Sequence, residues 1–265
     1  MSTDPSNEKF TAFEFGLNAR SNDGSLAGKL NVYNTSWNDR IATKYVQNED
    51  GDDDIIYLTG INQVHSGIET EFAARVNDLL RLDLGISVGS WRYADDASGT
   101  YRDSDGTDQS YNYALKDLKV GDAPQVSILT GVTLNPIDGA VVQLSHRHYR
   151  RNYSDWSPTS REYSDESDAD RAQSWLAPNY SVVDLNASYE LPIEFRGARP
   201  QIVLNIRNLF DEVYVQDATD NSRYNAVPFR VNTHTANAAE VFLGMPTAYN
   251  ICLLYTSDAA DDVIS

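Results

Sequence analysis

The sequence predicts an all-β fold: an antiparallel meander of about nine long strands that forms part of a transmembrane β-barrel as an open, curved sheet. Three observations carry this expectation. Apolar and polar residues alternate with period two in run after run. The connections between runs alternate short and long, and the long ones are polar and mostly acidic. The polar positions of the strands also carry full charges, which a dry protein core rejects and a water-filled lumen accepts.

The elements follow in order. Residues 1–9 are polar and predict a disordered start. Phe10 to Arg20 alternates through Phe13, Phe15 and Leu17 and stops at Ser21-Asn22-Asp23-Gly24-Ser25, a turn signal. A second run, Leu26 to about Tyr45, sets Leu30 and Val32 against Asn31 and Tyr33, and the acidic stretch 48–54 after it is a solvated loop. Ile55 to Val76 opposes Ile68, Thr70, Phe72, Ala74 and Val76 to Glu69, Glu71, Ala73 and Arg75. After the short turn at Asn77-Asp78, Leu80, Leu82, Leu84, Ile86 and Val88 alternate with Arg81, Asp83, Gly85, Ser87 and Gly89.

Residues 94–123 are a long polar excursion. Gln125 to Leu134 and Ala140 to Tyr153 are strands joined by the tight turn at residues 135–139. Residues 154–178 form another acidic loop. A hairpin then places Val183, Leu185, Ala187, Tyr189 and Leu191 on one face of its first strand and Ile202, Leu204 and Ile206 on one face of its second, with room for a bulge at Asn208-Leu209. Residues 216–238 are a loop, and Ala239 to Ile251 is the last strand. Trp91, Tyr93, Tyr149 and Tyr153 stand at the long-loop ends, where an aromatic girdle would lie.

Composition narrows the function classes. The 265-residue chain is 41% hydrophobic and rich in Tyr, with 16, and its net charge of -18 disfavours nucleic acid and anionic surfaces. One Cys, Cys252, supports neither a disulfide framework nor a Cys-based zinc site. Met1-Ser2-Thr3-Asp4 has neither the basic nor the apolar run of a signal peptide, so none is expected. No run is long and apolar enough for a transmembrane helix, a statement that leaves barrel strands untouched.

Several short motifs are more specific. Asn208-Leu209-Phe210-Asp211-Glu212-Val213-Tyr214 resembles the Asn-Leu-Phe-Asp-x-x-Tyr signature near the end of TonB-dependent outer-membrane receptors. Gly244-Met245-Pro246-Thr247-Ala248-Tyr249 is similar to the Gly-x-Pro-Arg-x-Tyr start of their last strand, departing at Thr247. Asn62 to Glu69 and Asp117 to Gln125 also resemble segments of that barrel. The likeness spans roughly residues 10–251 and implies the carboxy-terminal part of a 22-stranded transporter-type barrel. The plug and the TonB-contact segment of the family are not seen in this sequence. Residues 252–265 resemble a translated sequencing adaptor and are read as a non-native tail.

The resemblance implies a fragment of a receptor for energy-coupled uptake of a large scarce nutrient, such as a ferric siderophore, cobalamin or glycan. It implies a cell outer-membrane location, with outer-membrane lipid, an extracellular nutrient ligand and the TonB complex, engaged through an amino-terminal part, as partners. The alternative is a plug-less outer-membrane channel or surface-binding β-barrel, and a soluble β-sandwich is a third reading. No enzyme activity and no cofactor are expected.

Tyr111, Tyr113, Arg150, Arg151, Tyr153 and Trp156 are candidate ligand contacts, because aromatic and Arg side chains dominate recognition; an interfacial position is the competing reading for Tyr153 and Trp156. Asp103, Asp105 and Asp108 form a weak calcium pattern without the later Glu of an EF-hand, and a solvated acidic loop is the simpler reading. His146 and His148 share a strand face but have no evident third ligand. Gly85-Ile86-Ser87-Val88-Gly89 spells a nucleophile elbow, yet Ser87 sits in unbroken strand alternation where that elbow needs a sharp turn.

Overall fold

The computed structural model describes residues 7–47, 53–102, 106–194, 198–222 and 233–257. Nine long strands hydrogen-bond side by side as an antiparallel wall. They are β1 (Lys9–Arg20), β2 (Leu26–Gln47), β3 (Asp53–Arg75), β4 (Leu80–Tyr93), β7 (Val126–Leu134), β8 (Ala140–Arg150), β10 (Tyr180–Glu190), β11 (Ala198–Arg207) and β14 (Ala248–Ser257). The wall is an open, curled sheet; among the described residues β1 pairs only with β2 and β14 only with β11. The meander read from the alternating runs is therefore the meander observed.

Register fixes the two faces. Cross-strand partners point the same way, so the rows Lys29↔Glu71, Glu71↔Gly85 and Asp83↔Gly131↔Ser145↔Asp184 all belong to one face. The opposite face carries Phe15↔Val32↔Ile68↔Val88 and Leu82↔Val132↔Leu144↔Leu185. No second protein layer covers this apolar face among the described residues: Phe15 is 65% exposed, Ile68 51% and Leu84 37%. The polar face is the concave one. It encloses a hollow of about 960 Å³ lined by Lys29, Glu71, Asp83, Gln143, Arg147 and Asp184, among others.

Turn chemistry at one end is local. Asp23 accepts bonds from the Ser21 hydroxyl and from the Ser25 N–H and hydroxyl, and Gly24 supplies the positive φ of 69°. Asn77 accepts from the N–H groups of Leu79 and Leu80 at 2.9 and 2.8 Å. At the other end the connections build a cap. The excursion read as loop over residues 94–123 contains a hairpin, β5 (Ala97–Arg102) and β6 (Asp108–Tyr113), that pairs with the upper part of β3 after β4 has turned away. A two-residue strand, β9 (Glu162–Tyr163), adds to β6. The short helix α1 (Pro158–Arg161) and a 3-10 turn at Glu166–Asp168 lie in the next loop.

Two other expectations are corrected, and the last strand extends beyond its expected end. The last run is not one strand: β13 (Glu240–Leu243) leaves the wall to pair with β12 (Val215–Thr219) in a separate two-stranded sheet, and β14 begins after Gly244–Thr247. Pro246 cannot donate to a ladder, which places the break. The irregularity anticipated at Asn208-Leu209 is a chain exit, with Asn208 at φ 49°; the bulge lies in β2, around Asp39 at φ 56°. Finally, β14 runs past residue 251, with Cys252 opposite Val203 and Tyr255 opposite Pro200. Leu253, Leu254 and Tyr255 are residues that a pleated strand accommodates.

Candidate functional site

The candidate site is the upper part of the concave wall together with the cap above it. Three ion pairs lie on the wall. Arg81 donates to both oxygens of Asp83, Lys29 Nζ lies 3.0 Å from Glu71, and Arg147 donates to Asp184 at 2.5 Å. Arg81 keeps 56% of its side chain exposed, so its pair sits at a wet surface, whereas Asp184 keeps 17% and its pair with Arg147 is half-buried. Ser87 is an ordinary wall residue opposite Glu69 and Ser127, with no strand-to-helix turn at this point.

The cap has its own hydrophobic core: Leu58, Ile61, Tyr93, Ala97, Tyr113, Leu115, Leu118 and Trp156. Trp156 Nε1 donates to the Tyr93 hydroxyl at 3.1 Å, and the two rings meet edge to face. Around this core, charges stitch the loops. Arg171 grips Asp96 through two bonds of 2.6 and 2.8 Å and also reaches Glu166. Burial pushes the Asp96 carboxyl up, but Arg171, the Lys116 N–H and the Tyr163 hydroxyl outweigh it and hold the group at about 2.

A second knot lies deeper. Arg161, with no exposed side-chain surface, donates to the carbonyls of Asp170 and Ala172 at 3.0 and 2.7 Å and reaches Asp220 at 3.5 Å. His234 stands between Asp220 Oδ2, 2.5 Å from Nδ1, and Asp170 Oδ2, 2.9 Å from Nε2. The bond to Asp220 lifts the His234 pKa above its ordinary value against burial, and Asp170 adds to the lift. Sequence reading missed this knot, because a buried Arg in an acidic loop carries no local signal.

The sequence candidates scatter over this region. Tyr113 and Trp156 are buried in the cap core, so Trp156 is not an interfacial residue. Tyr111 is half-buried and packs against that core. Tyr153 is half-buried and bridges to Leu176. Arg151 is exposed at φ 55°, where β8 ends. Arg150 is exposed, and the alternation of β8 puts it on the outward face with Leu144, His146 and His148. Trp91 and Tyr149, expected in an outer girdle, instead share the concave face with Ser87 and Arg147.

Asp103 and Asp105 lie outside the described residues, and of Asp108 only the backbone, in β6, is described. His146 and His148 bond to the hydroxyls of Thr130 and Ser181, respectively. Among the described residues no cluster of three or more potential ligands is placed to hold a metal.

The resembling motif proves to be structural. Asn208 is buried; its amide Nδ2 donates to the carbonyls of Glu212 and Met245, and Oδ1 accepts from the Glu212 N–H. Thr247, where the family pattern has Arg, donates from its hydroxyl to the Asn208 carbonyl at 2.6 Å. Tyr214 stacks on Tyr180 at 4.4 Å, and Gly244 lies against the Tyr214 ring with no room for a Cβ.

A single-layer, curled antiparallel wall with a bare apolar outside and a charged inside defines an outer-membrane type of β-barrel. Residues 4–209 match the family model described as TonB dependent receptor-like, beta-barrel, and the chain belongs to this family of outer-membrane transport receptors. Its fold is similar to the ferric-catecholate import receptor Fiu from E. coli K12, at 18% identity and a TM-score of 0.55, over 96% of this chain and 29% of that one. It is also similar to the copper transporter OprC, at 15% identity and a TM-score of 0.59, over 93% of this chain and 31% of that one. For the siderophore receptor PiuA from Acinetobacter baumannii the values are 14% and 0.56, over 92% and 28%. The chain thus spans less than a third of these receptors. No curated protein sequence matches it significantly.

Proposed function

We propose that the chain forms nine strands of the wall and part of the extracellular cap of an outer-membrane receptor that takes up a large scarce nutrient with energy supplied through TonB. The observation that carries this reading is the pairing of a concave, ion-paired lumen face with a bare apolar outer face. Among the described residues the sheet's edges, β1 and β14, are unpaired, which is costly in lipid, so further strands close the wall in this reading. Plug and TonB-contact segments belong to that remainder, and residues 252–265 are a non-native tail whose β-prone first part pairs with β11. Ferric siderophores, cobalamin and glycans are the nutrient classes proposed, and the outer membrane is the proposed location.

Within this reading Tyr111, Arg151 and Tyr153 have side-chain surface to offer a ligand. Tyr113 and Trp156 act by holding the cap in shape, and Arg150 meets the lipid headgroup zone. The test is uptake of ferric siderophore, cobalamin and oligosaccharide by cells with and without the gene encoding this chain, each with and without the proton-motive force. The expected result is gene-dependent uptake of one class that collapses with the proton-motive force. Gene-dependent uptake that persists without that force would move the assignment to the passive channel.

A further inference from the structure

The glycines of the upper wall show how its aromatic rings lie. A Cβ on Gly67 would come within 2.6 Å of Tyr33 Cζ, and a Cβ on Gly89 within 2.7 Å of Trp91 Nε1. Both rings therefore lie down on the sheet, each over a position without a side chain, rather than standing into the lumen. Trp91 Nε1 donates to the Tyr33 hydroxyl at 2.8 Å, which ties the two rings edge to edge across β3. His65, the cross-strand partner of Trp91, continues the surface with its ring 18° from the Trp91 plane and 5.6 Å away. Its Nε2 is 3.2 Å from Gln63 Oε1.

This arrangement leaves π-faces toward the lumen. Among the described residues no further ring packs on Tyr33 or Trp91, and both are half-buried. The polar edges of the two rings are bonded to each other, so the surface offers stacking more than hydrogen bonding. Just toward the cap, Trp37 lies opposite Gln63 and carries the Arg40 guanidinium at 4.4 Å from its ring centroid. Among the described residues no carboxylate pairs with Arg40.

We propose that Tyr33, His65 and Trp91 form a stacking platform in the lumen that binds a planar aromatic acid, its ring on Trp91 and Tyr33 and its carboxylate toward Arg40. The proposal rests on the concave face being the ligand-accessible lumen of the receptor reading. It names a class, aromatic carboxylates, that a face built for sugar hydroxyls would not select.

Benzoate is the probe, with cyclohexanecarboxylate matching its charge and methyl glucoside representing sugars. Saturation-transfer NMR on the membrane-inserted protein should show transfer from indole protons to benzoate and little to either control. Trp91→Leu should weaken benzoate binding on the order of five-fold, with Trp91→Phe recovering part of it. Arg40→Gln, which leaves the rings in place, should weaken benzoate but not benzamide. Equal binding of benzoate and cyclohexanecarboxylate, preference for the glucoside, or no effect of either Trp91→Leu or Arg40→Gln would overturn the platform. The measurement reads binding directly: absent energy-coupled uptake with intact benzoate binding would sink the receptor reading alone, and the reverse would sink the platform alone.

Discussion

Asp184 divides its carboxylate between Arg147, which donates to Oδ2 at 2.5 Å, and the backbone N–H of Asn208, 2.9 Å from Oδ1. One lumen side chain thus ties β8 to β10 and fixes the point where β11 leaves the wall. Asp184→Ala removes both bonds and strands the Arg147 charge at a half-buried site. A loss of about 2 kcal/mol is expected. Chemical denaturation in detergent checks it, and a loss below about 0.5 kcal/mol would mean that the pair is merely a surface contact.

Gly244→Ala should drive Tyr214 out of its stack with Tyr180, because the new Cβ overlaps the ring. The cost is expected at about 1–3 kcal/mol. Shortening the opposing side chain in the double variant Gly244→Ala with Tyr214→Ser should return most of it. An additive double variant would show that the glycine matters for its backbone instead.

Trp156→Ala should act on the cap and spare the wall. It deletes the largest ring of the cap core and the bond to the Tyr93 hydroxyl. The expected loss is about 3–5 kcal/mol of local stability. Hydrogen exchange should accelerate at residues 97–113 and 154–178 while β4 and β7 stay protected.

The wall was legible in the sequence and the cap was not, for one physical reason. In β4 each side chain's environment follows from strand parity alone, so Leu82 against Asp83 and Leu84 against Gly85 can be read off directly. In the hairpin Ala97–Tyr113 no apolar alternation marks strands, and they form because β5 pairs with β3 at Tyr57–Thr59 and Tyr113 packs with Leu58 and Ile61, far away in sequence. The knot of Arg161, Asp220 and His234 joins residues from separate loops and has no local pattern at all. Pro246 was the one local sign of the break between β13 and β14. Trp91 and Tyr149 stand at strand ends, where a girdle would lie, but their parity with Ser87 and Arg147 turns them to the concave face.

Closure of the cap should depend on pH from both sides. The His234 pKa is raised in the folded state, so its contribution is full below the ordinary histidine value and is lost as pH rises through the folded value. Asp220, Asp170 and Arg161 are the charged groups facing it. The Asp96 carboxyl is lowered to about 2, so its contribution is full above its ordinary value of 3.8 and fades as pH falls toward 2. Limited proteolysis should cut residues 154–178 faster as pH rises past the His234 transition. His234→Gln should be cut at a rate independent of pH in that range; a pH dependence unchanged by this substitution would assign the transition elsewhere.

The most direct measurement of the two-faced wall is depth-resolved quenching of a fluorescent label at Leu84→Cys and, separately, at Asp83→Cys, in a Cys252→Ser background in membranes. These neighbours point to opposite faces of β4. Brominated lipid should quench the label at position 84 strongly and leave the label at 83 nearly untouched. Equal quenching at both positions, or none at 84, would contradict a wall with lipid on its apolar side and water on its charged side.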